Sequence, residues 1–101
     1  MDSTEQTATA TVQDETATVR ITRWDFPPGT QTGGHRHGYD YVVVPVIGGV
    51  LTITSADGSV SDVPIEVGTS YSRVAGTEHN VENRTDSTVA FVEIELLEHE
   101  G

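Results

Sequence analysis

The chain predicts an all-β domain of short antiparallel strands, and three observations carry that expectation. Val, Ile and Thr are abundant while Leu is scarce and Lys is absent; branched side chains suit a pleated, half-buried surface better than a helix. Apolar and polar residues alternate in short runs, and no run keeps a helical period. These runs recur at spacings of about 8–12 residues with Gly, Pro or Asp-Gly between them, the rhythm of a sandwich or barrel.

Taken in order, the first element is the most polar. Met1 to about Gln13 is mostly Thr, Ala and acid, which reads as a loose arm or an exchanged edge strand, so the domain is expected over 17–97 with an arm at 1–16 and a tail at 98–101. From Ala17 to Phe26, Val19 and Ile21 alternate with Thr18, Arg20 and Thr22, and the run breaks at Pro27-Pro28-Gly29. A Gly-rich and His-rich passage follows. DYVVVPVI then ends at Gly48-Gly49, and VLTITS ends at Ala56-Asp57-Gly58, where Asp-Gly is a favoured hairpin pair. VSDVPIEV, SYSRVA, HNVEN and VAFVEIEL complete the series, the last with Ala90, Val92, Ile94 and Leu96 on one face and Glu93 and Glu95 on the other. Pro45 and Pro64 fall inside strand-like runs, which places them at edges or bulges. Gly29, Gly48, Gly68 and Gly76 read as turn residues. They are not phosphate cradles, because no helix follows any of them.

At 101 residues, 35% of them hydrophobic, the chain is one domain with one modest core. Sixteen acidic residues against five Arg leave a net charge of −11, which excludes nucleic acid and anionic membranes as partners. Without Cys there is no disulfide, thiolate nucleophile or iron–sulfur cluster, so any metal must be held by nitrogen and oxygen. The N-terminal stretch lacks the basic start and apolar run of a signal peptide, and nowhere do about 18 apolar residues run together, so a cytoplasmic protein is expected. The sequon Asn83-Arg84-Thr85 is set aside on the same ground.

His35 and His37 are separated by Arg36, so on an extended chain both imidazoles leave one face and Arg36 the other. His79, more than forty residues on, is far enough along for another strand to bring it opposite that pair. Three converging imidazoles make a site for one divalent transition metal, with positions left for water and substrate.

Two spacings sharpen this reading. Gly29, His35, His37, Tyr41 and Gly48 fit G-x5-H-x-H-x3-E-x6-G with only the Glu replaced, and Gly68, Val74, Gly76, His79 and Asn83 fit G-x5-P-x-G-x2-H-x3-N with only the Pro replaced. In both respects the chain resembles the cupin superfamily, and within it the short single-domain cupins of the beta-alanine degradation type, over all but the arm. The resemblance implies a double-stranded β-helix, the cupin or jelly-roll barrel, with a mononuclear centre and commonly a homodimer. Cupins that keep the Glu use it as a fourth ligand. Here Tyr41 takes that slot, with three readings: ligand, hydrogen-bonding or acid/base group, or packing. A site of three neutral imidazoles would favour an anionic ligand, and the three-His cupins it resembles include thiol and diketone dioxygenases.

An anionic substrate needs an inward cation. Arg36 should face away, leaving Arg73 and Arg84, each also readable as surface. Tyr39, Tyr71, Trp24 and Phe26 read as packing anchors or as the lining of a pocket mouth, and His99 as a solvated tail residue. The expected function is a metal-dependent enzyme, dioxygenase-like with Fe, acting on a small anionic or keto-type metabolite, with His35, His37 and His79 as ligands and Tyr41 as catalytic group. With Zn, Ni or Mn the same ligands would run isomerase or lyase chemistry, and Cu is a further candidate. The competing readings are a binding module without turnover and a barrel whose site is vestigial.

Overall fold

A computed structural model describes residues 6–97; the start of the arm and the tail with His99 lie outside the described residues. Nine strands follow one another: β1 (Thr9–Glu15), β2 (Val19–Phe26), β3 (His35–Arg36), β4 (Tyr41–Ile47), β5 (Gly49–Ser55), β6 (Val60–Ile65), β7 (Tyr71–Arg73), β8 (Glu78–Glu82) and β9 (Val89–Leu96). They form two sheets, ordered β1-β2-β9-β4-β7 and β3-β8-β5-β6, with all neighbours antiparallel. The expected all-β barrel is therefore the fold observed. No helix among the described residues is long and apolar enough to cross a membrane.

Register decides which side chains face inward, because a strand turns alternate residues to opposite sides. Across the five-stranded sheet, Arg20, Glu95, Tyr41 and Arg73 lie in one row and Thr22, Glu93, Val43 and Tyr71 in the next. Trp24, Phe91 and Pro45 follow, then Phe26 and Val89. These rows form the inner wall, which runs from charged at the mouth to wholly apolar at the base, where Phe26 and Val89 are fully buried. The tilted rings of Phe26 and Phe91 close the base at 5.5 Å between centroids. Leu51, Ile65 and Val81 meet them from the four-stranded sheet.

The two faces of VAFVEIEL separate as read, but the carboxylate face turns inward, with Glu93 only 7% exposed. Val92 and Ile94 instead pack on the outer face beside Val44, Val42 and Ile21.

Pro45 and Pro64 sit where a missing N–H is tolerated: Pro45 beside a register shift in β4, Pro64 on edge strand β6. Gly48 differs from its expected role as a turn residue. Its backbone is not in the left-handed region, but a Cβ there would lie 2.9 Å from the Ile65 carbonyl. What Gly48 permits is a close approach as the chain crosses between sheets. Gly76, by contrast, has φ +91° and needs the freedom of glycine.

Candidate metal centre

β3 and β8 place the His cluster by simple cross-strand pairing, since His35 lies directly opposite His79. His37 follows just beyond β3, where the chain is held by the His37 N–H donating to Thr77 O and the Gly76 N–H donating to His37 O, at 2.9 and 2.8 Å. All three Nε2 atoms meet: His37 Nε2 is 3.0 Å from His35 Nε2 and 3.2 Å from His79 Nε2. Such separations are those of nitrogens sharing one cation at about 2.1 Å with angles of roughly 90–100°.

The outer edges of the rings support the same chemistry. His35 Nδ1 donates to Gly33 O at 3.0 Å, and a carbonyl can only accept, so His35 Nε2 presents a lone pair. His37 Nδ1 lies 3.4 Å from a Glu93 carboxylate oxygen, whose charge favours the proton on Nδ1 and so a bare Nε2. Two bare nitrogens in contact oppose each other unless a cation lies between them. Burial, together with the neighbouring His35, pushes both His37 and His79 down to about 4, so both stay neutral and able to ligate at physiological pH. The three imidazoles thus fit a divalent metal.

Around them lies a cavity of about 160 Å³, lined by Tyr41, Tyr71, Arg73 and Glu93 together with the apolar Trp24, Val43, Leu51, Ile65 and Phe91. A space of that order holds a ligand of roughly six non-hydrogen atoms.

Tyr41 is 3% exposed and its ring stacks on His37 at 3.9 Å. Its hydroxyl is buried without a hydrogen-bond partner among the described residues. Burial, reinforced by Glu93, pushes the phenol up to about 12, so it is a neutral donor.

Of the five cations, Arg73 is the one that lines the cavity, its guanidinium 4.5 Å above the Tyr71 ring. The others contact carboxylates: Arg20 with Glu95, Arg23 with Asp25, Arg36 with Glu78 and Arg84 with Glu82. Arg36 faces away from the imidazoles as expected, and Arg84 is on the surface. Trp24 and Tyr71 line the cavity, Phe26 is core and Tyr39 is exposed.

Asn83 does not reach the site. Fully buried, it donates to Phe26 O and Ser87 O and accepts from the Thr85 N–H and hydroxyl, pinning the turn from β8 to β9.

Glu93 is the residue that sequence reasoning missed. Burial, with Glu95 beside it, raises its carboxyl to about 7, against the lowering influence of Trp24 and Arg20. The alternation of β9 is its only trace in the sequence, and that pattern does not say which face is inside.

A barrel of this topology with three inward imidazoles is the architecture of a cupin. The profile of the Cupin_2 family, a cupin domain, matches residues 22–95, and the chain belongs to that family. It is 47% identical over 89 residues to the beta-alanine degradation protein BauB of Pseudomonas aeruginosa, covering 88% of this chain and 93% of that one. Among solved structures, a cupin domain from Bordetella pertussis superposes with a TM-score of 0.88 at 43% identity, over 94% of this chain and 98% of the other. An RmlC-like cupin with a double-stranded β-helix fold from Methanocaldococcus jannaschii gives 0.75 at 17% identity, over 95% and 85%, a likeness of fold alone. The fold is thus the double-stranded β-helix that the motif spacings implied.

Proposed function

We propose that this cupin is a metal-dependent enzyme, dioxygenase-like, that acts on a small anionic or keto-type metabolite, with His35, His37 and His79 holding one divalent transition metal, iron foremost. The observation that carries the reading is the meeting of three Nε2 atoms within 3.0 and 3.2 Å at the wall of a cavity. A metal held there supplies Lewis acidity and, if ferrous, a partner for dioxygen. Arg73 offers the cation that a carboxylate or enolate needs. The Tyr41 hydroxyl, already desolvated, donates a hydrogen bond to a substrate oxygen, and Trp24 and Phe91 line the cavity with apolar surface. The relative named for beta-alanine degradation supports a substrate of that size.

The deciding experiment is elemental analysis of untagged protein beside the triple variant His35→Ala, His37→Ala, His79→Ala, followed by oxygen uptake with small acids, thiols and diketones. About one Fe per chain, lost in the variant, with substrate-dependent uptake, is the expected result. Zn, Ni or Mn would shift the reading to non-oxidative chemistry, and no loadable metal would leave a ligand-binding barrel.

The outer face of the five-stranded sheet supports a homodimer. Ile21, Val42, Val44, Val92 and Ile94 form an apolar strip there, and Leu96, Ile47 and Val46 beside it are 42%, 40% and 37% exposed. Sedimentation should give twice the 10.8 kDa chain mass.

A further inference from the structure

We infer that Glu93 is the positioning residue of this centre: its carboxylate, set against Nδ1 of His37, holds that imidazole in the tautomer and orientation that turn Nε2 toward a cation. The inference rests on the metal-binding reading above and adds a residue that is not itself a ligand. His37 is the middle member of the trio, with its Nε2 in contact with both other Nε2 atoms, so its orientation governs whether the three meet. The ring is held on two sides. Tyr41 lies flat against its face, 3.9 Å away and within 20° of parallel, and Glu93 Oε2 reaches its edge at 3.4 Å, with the His37 and Glu93 side chains each only 9% exposed.

Glu93 is also the only carboxylate among the described residues that line the cavity. Its carboxylate does not join the group of three imidazoles, but with His37 and Glu95 it forms a second group close enough to hold an ion. Its position therefore suits action through the far nitrogen of His37. A carboxylate there favours the Nδ1–H tautomer, leaves Nε2 bare and makes it more basic. At His35 the backbone does the same work, through Gly33 O.

The test reads the tautomer first and metal second. In metal-free wild-type protein at mildly alkaline pH, nitrogen NMR of the histidine rings should show His37 protonated at Nδ1. In Glu93→Leu the His37 signal should move to the Nε2–H form, while His35, held by a carbonyl, stays unchanged. Competition titration with Zn²⁺ should then show affinity falling about 10- to 100-fold in Glu93→Leu and less in Glu93→Gln, which keeps an acceptor but not the charge. Glu78→Gln removes an exposed carboxylate beside His79 and should change affinity less than about threefold. The inference is overturned if wild-type His37 carries its proton on Nε2, or if the variants leave both tautomer and affinity as they were. If the wild type binds no Zn²⁺ but the tautomer shift is seen, the metal reading fails while the Glu93 contact stands.

Discussion

Tyr41 shows how a single side chain can be assigned by opposing effects on stability and rate. Its buried hydroxyl has no partner among the described residues, so Tyr41→Phe removes a group that is desolvated without return. The variant should keep its stack on His37 and be as stable as the wild type or more stable by about 1 kcal/mol in urea denaturation. If the hydroxyl donates to substrate, turnover should fall about 100-fold in the same protein. Unchanged turnover would reduce Tyr41 to packing. The three histidines were legible because their spacing follows from strand geometry, one face for His35 and His37 and an opposing strand for His79. Glu93 was not, since the period of two in β9 separates the faces without saying which is inner, and here both are half-buried or more except at Leu96.

At the level of elements, the punctuation of the chain was readable and the reasons behind it only in part. Asp57-Gly58 closes the β5–β6 hairpin with Gly58 at φ +90°, and both strand prolines lie at an edge or a bulge, because these follow from local backbone chemistry. Gly48 and Asn83 act through contacts distant in sequence, which local patterns do not carry. Asn83→Ala leaves the Phe26 and Ser87 carbonyls and the Thr85 N–H without their partner inside the turn, and should cost about 2–4 kcal/mol by denaturant midpoint. Gly49→Ala places a Cβ 2.6 Å from Val89 Cγ2, at the fully buried base of the barrel, and should cost about 1–3 kcal/mol by overpacking. Because both sites lie away from the imidazoles, neither change should alter metal stoichiometry in the folded fraction.

For the whole molecule, the buried titratable groups make stability a function of pH with a definite sign. His37 and His79 titrate near 4 in the folded protein against 6.5 as free side chains, so their contribution is present above 6.5 and is lost as pH falls toward 4, where the unfolded chain takes up two protons that the folded one refuses. Glu93 acts in the opposite sense. Its carboxyl is raised from 4.5 to about 7, so its contribution is present below 4.5 and is lost as pH rises through 7. Between 4.5 and 6.5 the two imidazoles outweigh the one carboxyl, and above 6.5 only the carboxyl still changes. From these groups, the melting temperature of metal-free protein should rise with pH to a maximum near 6.5 and then decline slightly to about 7. Glu93→Gln should abolish that decline and steepen the acid limb, since the only opposing proton is gone. Thermal scans across this range check both limbs, and a flat profile would mean that the imidazoles are solvated and not buried. Adding Zn²⁺ at about 100 times its Kd should raise stability by about 2.7 kcal/mol at neutral pH. That gain should shrink toward pH 4, where protons and metal compete for the same nitrogens.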